Sequence, residues 1–507
     1  MLIRTAVYDG VLLTNALFVL ALSAVAVFLY NYLLRPAFPA GAPKVIRENY
    51  PVLGAIDFFR KRRELFDSGK SQTSTGNFSF YVGKLNVIGL TSEQGRQVFF
   101  ENRALSFSEG YAVLFGQNAK PPKLEFSEGE SKFSQHFGKR LIQLVKRENI
   151  YRNLPNLISD VRAKLQPFAD ANSGIMEPFD IIYKIVFQLT MRTVGCNDFA
   201  DDPVLLEKTL ALFEYIDKSA TSTGILFPWL PTPARIKRDF AGARLYMMFR
   251  KVAEERKKLG KRDNDALQFL LDEGDTIGQI MVFVVGALFA GLLNTGINAA
   301  AICMYLATNS EWMAKARGEV ESVAARHRKD ANAPLAETLA ALPDSAWEEE
   351  FPVVEMCLRE SIRLQTRGTA FRRNNTGRDI PVGKEIIPNG AFVTYHIDEV
   401  HMNPNIYPEP DYWDPSRYLP ERAEDQKVHW AYLGWGVGRH PCLGMRFAQL
   451  EVRIVTAFFL AMFDFELVDE NGNLTSRLPK IDRNGTSAGK PDEPVFLKYK
   501  VRDQMAY

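Results

Sequence analysis

Apolar residues recur at helical spacing over residues 157–165, 204–218, 240–259 and 266–273, with polar positions between them, which predicts amphipathic helices that each bury one face. Residues 276–307 depart from this pattern, because apolar side chains fall on nearly every face. Such a helix is predicted to run through the centre of a large domain. A second membrane span is the competing reading. Gly291, Asn294, Thr295, Gly296 and Asn298 oppose it, since a polar cluster is costly in lipid and useful at a buried site. The partial alternation FSFYVGKLNVIG over residues 78–89 predicts a hairpin. Short β-like pieces follow at 369–373, 386–387 and 391–396, with Gly383, Asn389 and Gly390 as turn residues. The charged, alanine-rich stretch 326–345 reads as a loop. A mainly helical chain whose small sheet is drawn from both ends is α+β by its layers.

The N-terminus follows a different rule. Residues 11–34, VLLTNALFVLALSAVAVFLYNYLL, carry no charge over 24 residues, long enough for a helix to cross a bilayer. No small-residue cleavage site follows, so this segment is predicted to remain as an anchor. Arg35, Lys44 and Arg47 after it, against Arg4 and Asp9 before it, place the body of the chain in the cytosol by the positive-inside tendency. Three prolines in RPAFPAGAP, residues 35–43, exclude continuation of the helix. The predicted organisation is an anchor at 1–34, a proline-rich hinge at 35–55 and a catalytic domain at 56–507.

Charge and cysteine content narrow the chemistry. With 62 Lys and Arg against 60 Asp and Glu, the net charge is +2, and no field argues for a nucleic-acid partner. The four cysteines, Cys196, Cys303, Cys357 and Cys442, form no C-x-x-C pair and no spacing suited to a structural zinc. Cys303 and Cys357 lie in apolar, helix-like surroundings and read as core packing. Cys442 does not, because it ends the stretch GWGVGRHPC and precedes Leu443 and Gly444. Glycines at 434, 436 and 438 allow positive φ and a close approach to a ligand. The apolar pattern that resumes at Leu443 sets Cys442 at or just before a helix N-terminus, where the dipole, with Arg439 and His440 nearby, favours a thiolate. A buried anionic sulfur needs a partner, either a metal or a reacting carbon. His440 has no orienting carboxylate, which weakens the nucleophile reading. A lone cysteine, close backbone approach and cations for propionates match thiolate ligation of haem iron.

The loop closely resembles the haem-binding loop of the cytochrome P-450 family, Phe-x-x-Gly-x-Arg-x-Cys-x-Gly. Gly438 and Gly444 match, Trp435 stands for Phe, and His440 stands for Arg as in the fungal sterol-demethylase-like branch. Glu360-Ser-Ile-Arg363 is similar to the family's Glu-x-x-Arg, and WDPSRY at 413–418 to the segment that adds a second arginine, Arg417. Arg372 stands where the family has a propionate-binding arginine, and Lys139 or Arg140 is a further candidate from an early helix. The resemblance implies a P-450 fold with a small β-rich subdomain, and haem b (iron protoporphyrin IX) ligated by Cys442. It also implies that Gly438 and Gly444 give room for the porphyrin, that Arg372, Arg439 and His440 contact the cofactor, and that Glu360, Arg363 and Arg417 form a buried structural network.

The segment AGLLNTG at 290–296 resembles the family's oxygen-activation motif, Ala-Gly-x-Asp/Glu-Thr-Thr. Its register puts Leu293 at the acid position, Asn294 at the usual threonine and Thr295 next, so Asn294 and Thr295 are the candidate catalytic residues. The acid is missing. The implied function is oxidation of a hydrophobic small molecule, terpenoid or steroid-like, polyketide or alkaloid, using O2 and electrons from NADPH through a cytochrome reductase at the endoplasmic reticulum membrane. Reductase-independent peroxide isomerase or lyase activity is an alternative, because some relatives of that kind carry asparagine near this position. A non-catalytic membrane haem-binding protein is another. Residues 111–115, 227–230, 289–293 and 367–371 are expected to line the cavity. The Asn-x-Ser/Thr matches at Asn77, Asn374, Asn473 and Asn484 are expected to be unused.

Overall fold

In the computed structural model, which describes residues 2–33, 35–114, 132–485 and 488–505, the apolar N-terminal run forms α1 (Leu2–Leu33). Its stretch Asn15–Tyr30 is apolar, with large side chains such as Leu17, Phe18 and Leu20 open to solvent. The chain divides into two compact units, Met1–Leu114 with Ala370–His396, and Phe115–Thr369 with Ile397–Tyr507.

The first unit is built on a five-stranded sheet. Phe78–Val82 and Leu85–Leu90 form the predicted hairpin, with Phe78 opposite Gly89 and a turn at Gly83 in the left-handed region. Leu85–Leu90 then pairs in parallel with Phe392–His396, and Thr369–Asn374 and Leu105–Ser106 complete the sheet. A side chain at Gly89 would overlap the Phe78 ring at 2.4 Å, so glycine is what lets that ring lie flat across the hairpin. The helices α2 (Arg62–Ser71), α3 (Ser92–Glu101) and α4 (Phe107–Leu114) belong to this unit. Asn77 and Asn374 are buried, and the Asn374 amide donates to the carbonyls of Arg378, Ile387 and Pro388, so neither is a glycan acceptor in the folded chain.

The second unit holds the main helical core. In chain order it contains α5 (Lys132–Leu144), α6 (Leu154–Asp170), α7 (Pro178–Val194), α8 (Pro203–Asp217), α9 (Pro233–Leu259), α10 (Ala266–Asp272), α11 (Ile277–Thr308), α12 (Ser310–His327), α13 (Pro352–Gln365) and α14 (Met445–Met462). A three-stranded sheet, Ser173–Met176, Phe496–Val501 and Phe463–Val468, lies in the same unit. The all-round apolar segment is indeed the central helix: every residue of α11 from Thr295 to Leu306 is buried. Thr276 starts it with a reciprocal capping box to Gln279. Cys196, Cys303 and Cys357 are buried in the core.

The stretch 326–345 is not the continuous loop that its composition predicts. α12 reaches His327, and Leu335–Ala340 forms a short helix whose buried Leu335 and Leu339, one turn apart, pack toward α14. Local composition understated the value of that apolar pair. α7 is also more buried than its charges indicate, because Arg192 pairs with Asp160 of α6 at 2.5 Å. Thr190 of α7 donates to Glu451 of α14 at 3.1 Å, and burial pushes the Glu451 carboxyl well above the usual carboxylate range, so it holds its proton.

Gly296 has a packing role on α11. A Cβ there would lie 3.0 Å from Tyr183 Cδ2 and 3.4 Å from Tyr183 Cα, so glycine sets how closely α11 approaches α7. Gly291 differs, since its Cβ would meet only the Thr190 methyl at 3.9 Å. Gly296→Val is therefore expected to cost about 1–3 kcal/mol and lower the thermal-unfolding midpoint. Gly291→Ala should hold or raise it, by up to about 1 kcal/mol of helix propensity.

Candidate active site

Glu360 and Arg363 lie one turn apart on α13, and both are wholly buried. Arg363 grips the carboxylate with two bonds, Nη2 to Oε1 at 2.7 Å and Nε to Oε2 at 2.8 Å. Arg417, from the turn Pro415–Tyr418, adds Nε to Oε1 at 3.1 Å. The Tyr418 hydroxyl and the Asp414 N–H also donate to this carboxylate. One carboxylate between two guanidiniums would leave a buried positive charge. Glu424 balances it, with Oε2 at 2.8 Å from Arg417 Nη1. The remaining guanidinium donors reach main-chain carbonyls, Arg363 to His401 and Arg417 to Pro408 and Glu409. Burial would lower the pKa of Arg363, and the hydrogen bond and charge of Glu360, with Tyr418 and Tyr407 nearby, together outweigh it, so the arginine stays charged. The three charges predicted from sequence are brought together. Glu424 was missed, because an acid seven residues beyond Arg417 has no spacing signature.

Two links run from this network to the cysteine loop. His401 accepts the Leu433 N–H through Nε2 at 2.9 Å, and the Tyr432 hydroxyl donates to the Arg359 carbonyl of α13 at 3.1 Å. Beyond them the loop closes on itself, Gly436 N–H to Leu433 O at 3.0 Å and Cys442 N–H to Trp435 O at 2.7 Å. Gly436 and Gly438 both have φ of +64°, a left-handed conformation that favours glycine. Gly434 does not. Its Cβ would lie 2.4 Å from Ile362 Cγ2 and from the Tyr432 hydroxyl, so this glycine admits the loop against α13 and not against a ligand. Trp435 is half-buried and packs on the core.

Gly444 is the N-cap of α14, and the Cys442 thiol opens to accessible space just before it. Protein surrounds its other sides closely enough that desolvation pushes the thiol pKa up, and only the Gly444 N–H works in the opposite direction. Arg439 and His440, expected to lower it, are not among the groups that do. Arg439 is exposed and His440 half-buried. A soft metal held at Cys442 would favour the thiolate by displacing the thiol proton.

On α11, Val282, Gly286, Ala290 and Asn294 recur every four residues as an accessible or half-accessible stripe along a helix that is otherwise mostly buried. Asn294 is exposed, with Nδ2 at 3.4 Å from Ala290 O, whereas Thr295 is buried and Leu293 half-buried. α5 touches both this helix and the cysteine loop: its Phe137 ring lies 5.3 Å from Phe283, and a Cβ on Gly138 would sit 3.8 Å from Leu443 Cδ1. Arg140 of α5 is committed elsewhere, to Asp275 at 3.0 Å and to Glu273. That removes it as a propionate donor, and Lys139 is exposed. Arg372, in the first unit, is buried with its guanidinium over the Phe99 and Phe107 rings at 4.8 and 4.9 Å and Nη1 on the Phe371 carbonyl. Of the expected cavity residues, Phe115 lies outside the described residues, and Phe289 rests on Phe213 at 5.0 Å.

The donor set fits haem. Cys442 is an accessible soft donor, the neighbouring Leu443 and Met445 keep 44% and 40% of their surface accessible, and a Cβ on Gly444 would meet nothing within 4 Å. A family model described as Cytochrome P450 matches residues 46–492. Cytochrome P450 monooxygenase AacuE of Aspergillus aculeatus is 31% identical over 479 residues, 93% of this chain and 95% of that one. Obtusifoliol 14-alpha demethylase of Sorghum bicolor is 32% identical over 310 residues, 59% of each chain. Among solved structures, retinoic acid bound cyanobacterial CYP120A1 shares the fold with a TM-score of 0.71 at 20% identity, over 92% of this chain and 100% of that one. Fold, loop and relatives together define a haem-thiolate oxidoreductase of the monooxygenase type. The chain belongs to the cytochrome P450 family.

Glu360→Ala would strand two buried guanidiniums with one carboxylate between them, a loss of roughly 3–5 kcal/mol. The purified variant is expected to show a lower thermal midpoint and a haem-to-protein ratio well below that of the unaltered protein. Equal haem content in the two contradicts the network's role.

Proposed function

We propose that the protein is an NADPH-dependent monooxygenase that inserts one atom of O2 into a hydrophobic small molecule, with haem b on Cys442 and a cytochrome reductase as electron donor. The observation that carries this reading is Asn294, exposed at the end of the accessible stripe of a mostly buried helix in the same unit as the accessible Cys442. Haem, when bound, supplies the iron centre at which dioxygen is activated. In this proposal Gly438 and Gly444 admit the porphyrin, and Arg372, Arg439 and His440 serve its propionates. Glu360, Arg363 and Arg417 hold the loop.

Asn294 is the positioning group for protons. Its amide orients a water but has no titratable proton, and Leu293 offers none, so the proton comes from solvent through that water. Thr295 is the weaker candidate, because it is buried. A steroid-like or terpenoid substrate is favoured over polyketides and alkaloids, supported by the sterol 14-demethylase relative of Arabidopsis thaliana, 30% identical over 312 residues. We assign residues 1–34 to a single membrane anchor in the endoplasmic reticulum, 35–55 to a hinge and 56–507 to the cytosolic catalytic domain. The apolar α1 supports the anchor.

The missing acid keeps one second reading, rearrangement of a peroxide without a reductase. Terpenoid and steroid candidates incubated with the membrane-bound protein, reductase, NADPH and isotopically labelled O2 separate the two. One labelled oxygen per product with NADPH consumed is expected; product from a hydroperoxide alone, with no NADPH use, overturns the monooxygenase reading. Asn294→Ala should lower product per NADPH and raise hydrogen peroxide release several-fold, whereas Thr295→Ala should change this coupling less.

A further inference from the structure

We propose that His401 is the positioning residue that sets the register of the cysteine loop, by accepting the Leu433 N–H while its own backbone is clamped by the buried ion network. The inference deepens the haem-thiolate reading and rests on it. The imidazole is wholly buried, and its ring stacks near Tyr432 with centroids 5.5 Å apart. Its carbonyl oxygen takes the Arg363 Nη1 bond at 2.6 Å, so the network that holds α13 also fixes where this ring begins. At the far side, Nε2 lies 2.9 Å from the Leu433 nitrogen.

The tautomer follows from the partner. A backbone N–H only donates, so Nε2 must carry the lone pair and Nδ1 the proton. Nδ1 has no hydrogen-bond partner among the described residues. A buried donor left unmatched is unfavourable, and the fold tolerates it here to keep the acceptor in place. Desolvation, with the positive charges of Arg363 and Arg483 beside it, pulls the ring's pKa down to about 3, so the acceptor is present throughout the physiological range. From Leu433 the register passes on, Leu433 O taking Gly436 N–H and Trp435 O taking Cys442 N–H. No sequence motif singles out His401. Its role emerges only from the two bonds that meet on it.

The test uses the full-length, haem-loaded protein in detergent and three chains, unaltered, His401→Gln and His401→Leu. Gln keeps an acceptor oxygen near the Nε2 position, and Leu keeps bulk without one. Amide hydrogen exchange at Leu433 and the carbon monoxide spectrum of the reduced haem are measured on each. His401→Leu should speed Leu433 exchange roughly tenfold and lose most of the thiolate-type spectrum, while His401→Gln stays close to the unaltered protein on both. Equal exchange in His401→Leu and the unaltered chain overturns the proposal. So does equal failure of both variants, which would mean that ring packing and not the acceptor matters. Should His401→Leu not fold, an unprotected Leu433 amide in the unaltered protein overturns it by itself. Absence of a thiolate-type spectrum in the unaltered protein would instead sink the haem-thiolate reading and leave the exchange result to judge His401.

Discussion

One buried carboxylate organises the catalytic unit. Glu360 holds two guanidiniums, a tyrosine hydroxyl and a backbone N–H, and Glu424 balances the second arginine, so a four-charge cluster lies almost entirely out of water. Such a cluster adds little stability over an apolar core of equal volume, since desolvation offsets most of the Coulombic gain. Its value is directional. Each N–H of Arg363 and Arg417 has a fixed target, and those targets fix the irregular chain from His401 to Glu424 to α13. An apolar contact could not specify the path of a segment with so little regular structure.

The cysteine loop then needs no charge of its own. Its turns come from left-handed Gly436 and Gly438, its seat from Gly434 against Ile362, and its end from the start of α14. Desolvation leaves the thiol reluctant to ionise, so in the proposed function a bound iron would be what favours the thiolate. Function is thereby divided between two elements. In the proposed function the loop would hold the cofactor, and the accessible stripe of α11 ending at Asn294 would serve the oxygen side.

Much of this was legible in the sequence because it is local. The 3.6-residue pattern found α6, α8, α9 and α10, the all-round apolar run found α11, partial alternation found the hairpin at 78–89, and β-like pieces marked 369–373 and 391–396, with shifted ends. The charges Glu360, Arg363 and Arg417 were legible through their motifs. What stayed hidden depends on pairs distant in sequence. α7 escaped notice because a buried Arg192 looks polar until Asp160 of α6 is beside it. Glu424 and His401 have no spacing to announce them, and Arg140 looked free until the loop before α11 brought Asp275 to it. Gly434 and Gly296 were legible as glycines but not in their use, since only the fold shows that each admits a protein neighbour.

We propose that Cys442, and no other residue, gives this fold its thiolate. The most direct measurement is the difference spectrum of the reduced protein with carbon monoxide, taken on the unaltered chain and on Cys442→Ser. The band of a thiolate-ligated haem is expected in the first and its loss in the second. An unaltered chain without that band, or a Cys442→Ser variant that keeps it, rules out Cys442 as the ligand.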